Sequence, residues 1–174
     1  MTELARPDLR FHVSWAAAVR EFEAAGDVMH GSGLWHFDTS DLSAAALAPE
    51  VDRLLAEGDP ATAIPADRVH STNYWIVDGD EFLGYLAVRH ALTPYLLEEG
   101  GHIGYSVRPS RRREGHATRA FRLALDEARS LGLERALVTC DHDNLPSRLT
   151  IEHAGGVFED RRGDKLRYWF DLVR

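Results

Sequence analysis

Residues 101–121, GHIGYSVRPSRRREGHATRAF, narrow the folds open to this chain more than any other stretch. HIGYSV reads as a strand, and Pro109 stops it because proline has no N–H to give to a ladder. After a run of arginines, a helix is predicted over 117–131, with Ala117, Phe121, Ala124, Leu125, Ala128 and Leu131 on one face and Gly132 suited to its C-terminal cap. Gly115 stands between strand and helix. A glycine there lets backbone N–H groups converge on a phosphate, and the helix dipole adds positive potential. Arg108, Arg111, Arg112, Arg113, Arg119 and Arg122 fall within fifteen residues, opposed there only by Glu114. Such a cluster attracts anions through charge-assisted hydrogen bonds, or else forms a solvated charged surface. The lysine and Ser/Thr of a P-loop and the three-glycine spacing of a dinucleotide fingerprint are both missing.

The flanking segments supply the rest of an α/β (α+β) domain. Residues 10–25 and 42–56 are rich in Ala, Leu and Glu with apolar residues at helical spacing. YWIV, the turn DGD and EFLGYLAVRHAL read as a β-hairpin. ALVTC is a short apolar run of buried-strand type, a short helix is predicted over 146–154, and VFEDRRGDKLRYWFDL closes as a second hairpin. The predicted order is α-α-β-β-β-α-β-α-β-β. Trp15, Trp35, Trp75 and Trp169 are each open to a core or a substrate-facing place, and most are expected in the core.

Bulk properties set the context. A length of 174 residues suits one domain, with 1–72 as an N-terminal helical part and 73–172 as the main unit. Apolar residues at 44% are too many for a disordered chain, and no stretch approaches the ~18 consecutive apolar residues of a membrane span. The start, MTELARPDLR, lacks the apolar run of a signal peptide, so a cytoplasmic location is expected. With one cysteine, Cys140, an internal disulfide is excluded and so is a multi-cysteine zinc site. The net charge of −8 is uneven: residues 1–100 hold 6 basic against 17 acidic side chains, and 101–174 hold 14 against 11. The acidic half would draw a cation, while the absence of a broad basic face disfavours nucleic acid.

Arg112-Arg113-Glu114-Gly115-His116-Ala117, between a strand and a helix, resembles the R/Q-x-x-G-x-G/A pyrophosphate loop of the GNAT (GCN5-related) N-acetyltransferases. ALVTCDHDNLPSRLTIEHAGG looks like that family's following strand and helix, and GGHIGYSVRPS like a bacterial subfamily of predicted acetyltransferases. The resemblance covers roughly 73–172. It implies a GNAT fold, a mixed central β-sheet flanked by helices, whose strands at Tyr105 and Val138 splay apart to hold coenzyme A. It also implies acetyl-CoA as cofactor: pantetheine beside Tyr105, Ser106 and Val107, pyrophosphate on Arg112 through Thr118, and further contacts from Asn144 and Ser147. The implied partners are acetyl-CoA and an amine acceptor, with a homodimer allowed; the scattered histidines form no zinc motif such as HExxH, so no metal is expected.

Acetyl transfer requires a neutral amine, yet a Lys-type amine has a pKa near ~10.4, so a base must take its proton. His102 is the leading expectation, because it begins the third strand where several family members carry a glutamate, and imidazole titrates near ~6.5. A structural histidine is the alternative. Glu98 and Glu99 are further choices for proton relay or amine binding. Many members place a tyrosine acid seven residues after the asparagine, where this chain has Ile151. Tyr105, Cys140 or water could stand in. Expected acceptor contacts are Arg89, His90, Tyr95 and Glu98, although Arg89 suits a carboxylate better than a cation. Two other functions stay open: a non-catalytic acyl-CoA sensor, and a Cys140-dependent acyltransferase or hydrolase using His142.

Overall fold

Apolar residues on both faces of one hairpin determine the architecture. The computed structural model describes residues 1–173, and the hairpin is β2 (Ser71–Asp78) with β3 (Glu81–Arg89). Trp75, Val77, Phe82 and Tyr85 pack with Phe11, Trp15, Phe22, Leu47 and Leu54, which come from α1 (His12–Ala25), α2 (Ala44–Ala56) and the turn before α1. Tyr74, Ile76, Leu83, Leu86 and Val88 face the other way, against Phe121 and Ala124 of α3 (His116–Ser130). A bulge between Ile76 and Val77 shifts the pairing, which is why Leu83 and Leu86 share a face despite a spacing of three. The sheet is thus covered on both sides. Truncating fully buried Trp15 or Trp75 to alanine would cost about 3–5 kcal/mol.

This first sheet has the order β1-β2-β3-β4, where β1 is Thr2–Ala5 and β4 is Ile103–Val107. The second has the order β5-β7-β6, with β5 at Arg135–Asp141, β6 at Val157–Arg162 and β7 at Lys165–Asp171; α4 (Leu145–His153) follows β5. Every ladder pair is antiparallel. The expected α/β architecture is what forms, with β1 added in front. TELA carries no strand signature of its own and is extended because β2 offers it an edge.

The two sheets share one apolar core and are tied by hydrogen bonds at His102 and Leu137. His102 donates its backbone N–H to the Leu137 carbonyl at 2.7 Å, and the Leu137 N–H donates to His102 Nδ1 at 2.9 Å. Beyond this link β4 and β5 form no ladder. Buried Arg167 braces the junction from β7: it bonds Asp160 at 2.6 Å, Glu159 at 2.5 Å and the Leu97 carbonyl at 2.6 Å. It thereby anchors a π turn, Leu96–Gly100, that leads into β4. Ion pairs also offset the charge asymmetry of the sequence: Glu21 holds Arg108, Glu81 holds Arg111, and Asp27 meets Arg112 at 2.7 Å.

Candidate active site

Helix α3 begins without a side-chain cap. Its N-cap is Gly115 at φ 83°, Arg113 also has a positive φ of 65°, and a Cβ built on Gly115 would meet nothing within 4 Å. The turn aims its backbone outward: the N–H groups of Arg113, Glu114 and Gly115 have no partner among the described residues, and those of His116, Ala117 and Thr118 are first-turn donors that an α-helix leaves unpaired. Six N–H donors beside the positive end of a fifteen-residue helix form a cradle whose chemistry suits an anion. The arginines are divided in duty. Arg108 and Arg111 are held by Glu21 and Glu81, while Arg113 has no ion pair among the described residues. Glu114 bonds Arg111 at 3.0 Å, and buried His116 bonds Thr2 Oγ1 at 2.9 Å, so both side chains shape the turn.

Where β4 and β5 separate, their residues line a cavity of about 630 Å³. The backbone N–H of Arg89 donates to the His102 carbonyl and that of Arg108 to the Leu83 carbonyl, so Gly104 and Ser106 between them spend their backbone groups on β3. Those of Ile103, Tyr105 and Val107 therefore point toward β5, and among the described residues only the Val107 carbonyl is engaged, by Arg112 Nε at 2.9 Å. An extended amide chain can bond along such an edge. Tyr105, Cys140, Asn144 and Ser147 line this end of the cavity. Tyr105 Oη lies 3.0 Å from Ser147 Oγ, and burial pushes its phenol pKa upward, so it keeps its proton at neutral pH. Asn144 Oδ1 caps α4 by accepting the Ser147 N–H at 3.1 Å. Ser106 Oγ bonds the His30 carbonyl at 2.8 Å, so that side chain secures a loop over β4. That loop touches the strand so closely at Gly31 that a Cβ there would collide with the Gly104 carbonyl.

Three expected side chains lie elsewhere. His102 is buried and does not line the cavity. Burial and the nearby Arg89 charge lower its pKa to about 4, and the Leu137 N–H occupies its Nδ1 lone pair, leaving Nε2 to carry the hydrogen. No lone pair is left to accept a proton. Glu98 is ion-paired to Arg162 outside the cavity, whereas its neighbour Glu99 lines it. His90 is turned away onto Thr72 Oγ1 at 2.8 Å and stacks on His70. Ile151, at the position of the family's tyrosine, is part of the core. Cys140 has its thiol pushed up to about 11 by burial, the reverse of an activated nucleophile.

Arg89, Tyr95 and Trp35, the last 57% exposed, also line the cavity. His30 lines it too; burial and the charges of Lys165 and Arg89 lower its pKa below 6.5 despite a nearby Asp141, so it is neutral at pH 7. Lys165 is paired with Asp141 at 2.5 Å. His30 comes from a loop with no periodic pattern, and no spacing rule would have found it; Trp35, from the same loop, lies on the cavity wall rather than in the core.

Residues 16–157 match the model of the acetyltransferase (GNAT) domain family. An uncharacterized N-acetyltransferase of Bacillus subtilis (strain 168), YjdG, is 31% identical over 109 residues, which are 61% of this chain and 58% of that protein. The match thus spans under two thirds of the relative's length. Among solved structures, Mycobacterium smegmatis RimJ in complex with CoA-disulfide has a TM-score of 0.72 at 20% identity, covering 98% of this chain and 81% of that one. The microcin C7 self-immunity acetyltransferase MccE, in complex with acetyl-CoA and AMP, has a TM-score of 0.67 at 13% identity, with 98% and 92% covered. RimL, a ribosomal L7/L12 α-N-protein acetyltransferase in complex with coenzyme A, has 0.66 at 17%, with 98% and 93% covered. At these identities the likeness is one of fold.

Proposed function

Because the chain belongs to the GNAT acetyltransferase family, we propose that it transfers an acetyl group from acetyl-CoA to a primary amine by direct attack within a ternary complex. The observation that carries this reading is the cradle of six N–H donors from Arg113 to Thr118, opening beside an unladdered β4 edge. The complexes of MccE, RimJ and RimL with acetyl-CoA or CoA support the same coenzyme here. Bound there, acetyl-CoA would supply an acetyl group activated as a thioester. The cradle and Arg113 would take the pyrophosphate, and the backbone of Ile103, Tyr105 and Val107 the pantetheine amides.

The amine must lose a proton before or during attack. His30 is assigned this task in place of His102: it lines the cavity, is neutral at pH 7, and neither ring nitrogen is bonded among the described residues. Glu99 stands as the relay to solvent. Tyr105, protonated and hydrogen-bonded to Ser147, is placed to give a proton to the departing thiolate. A β4 backbone N–H would serve the oxyanion, as a fixed donor needing no reorganisation.

Mass spectrometry of the protein incubated with acetyl-CoA and an amine panel tests this. Acetylated amine without acylated protein is the expected result. Acetyl-CoA binding with no product from any amine would make the chain a sensor, and acetyl on Cys140 would make turnover covalent.

A further inference from the structure

The charged residues lining the cavity are mostly paired. Lys165 is held by Asp141 at 2.5 Å, and Glu57 is shared by Arg53 and by Arg68 at 3.9 Å. Three are not paired among the described residues: Arg89, Glu99 and Asp67. Arg89 is the unusual one. It ends β3 inside the cavity, and its Nη1 is anchored to the Gly100 and Gly101 carbonyls at 3.0 and 2.9 Å. Nε and Nη2 have no hydrogen-bond partner among the described residues, and Arg89 is part of the cavity wall. A guanidinium cannot discard its charge, and leaving it half-buried without an anion is costly.

We propose that the acceptor carries a carboxylate which docks on the free Nε and Nη2 edge of Arg89, so that the substrate is a small amino-acid-like zwitterion rather than a polyamine. This rests on the transferase reading and names its acceptor. The fork of two N–H donors on one edge matches the two oxygens of a carboxylate. Nη2 lies 3.2 Å from where a Cβ of Gly104 would stand, so an anion held there sits against β4, and an amine a few bonds away stays within the same cavity. Exposed Glu99 and Asp67 complement the ammonium form on its way in. Trp35 and Tyr95, 57% and 69% exposed at the lining, offer aromatic surface to the remaining side chain.

Matched triplets test the idea: an amino acid, its carboxamide and its decarboxylated amine, with aliphatic, aromatic and acidic side chains. In the wild-type protein the carboxylate member should show kcat/KM roughly 10–100-fold above its two partners, as expected for hydrogen bonds to a charged group. Arg89→Gln should collapse that ratio toward one, and Arg89→Lys should recover part of it. General damage to the fold would instead lower all three members alike and weaken CoA binding, measured in parallel by calorimetry. Equal or better turnover of the carboxamide or the decarboxylated amine by wild type overturns the proposal while the transferase reading stands, and so does a ratio that survives Arg89→Gln. Absence of both acetylation and CoA binding would remove the transferase reading, and the proposal with it.

Discussion

His102 Nδ1 accepts the Leu137 N–H at 2.9 Å, and this bond joins β4 to β5 at the point where they part. The imidazole therefore ties the two strands together without entering the cavity between them. His102→Ala should lower stability by about 1–3 kcal/mol for the stranded N–H alone. His102→Gln, which can accept the same bond, should restore part of it in denaturant titrations.

His102 also predicts an acid limit. Folding lowers its pKa from 6.5 to about 4, so as pH falls the unfolded chain takes the proton first. The residue costs no stability above pH 6.5 and destabilises progressively between 6.5 and about 4. Thermal melts across that window should show a flatter profile for His102→Gln than for wild type.

Gly115→Asp puts a side chain and a negative charge at the mouth of the N–H cradle, at a φ of 83° that suits glycine. Calorimetry should show CoA affinity reduced at least about tenfold, each 1.4 kcal/mol of lost interaction being one such factor. A folded variant with unchanged affinity would move the pyrophosphate elsewhere.

His30→Gln should lower kcat by roughly 10²–10⁴-fold with little change in CoA affinity, because a base acts on the transition state. The wild-type pH–rate profile should rise through a midpoint below 6.5, with activity on the alkaline side, where the ring is neutral. His102→Gln should keep this limb. Its survival in His30→Gln would transfer the role to Glu99 or to a water chain.

Asn144→Ala removes the cap of α4, which should cost about 1 kcal/mol. Since α4 carries Ser147, the partner of Tyr105, the apparent KM for acetyl-CoA should rise with it. A melting shift with unchanged KM would leave Asn144 a cap alone.

The sequence by itself determined the order of the helices and strands after β1 and the turn at Gly115, because both depend on residues close together in the chain. Proline ends a strand, glycine permits a positive φ, and an amphipathic period makes a helix wherever the domain places it. Only the tertiary structure decided which side chains reach the cavity. Glu98 and Glu99 are indistinguishable as neighbours in a loop, yet Arg162, sixty-four residues away, withdraws the first and leaves the second. His102 has the composition of a base and the surroundings of a strut, because Leu137 from another strand fills its lone pair. His30, Trp35 and the unpaired edge of Arg89 acquire their roles from loops folded over β4 and from carbonyls at Gly100 and Gly101. A side chain's chemistry is written locally, but its burial, partners and remaining free atoms are set by residues that only the fold brings near.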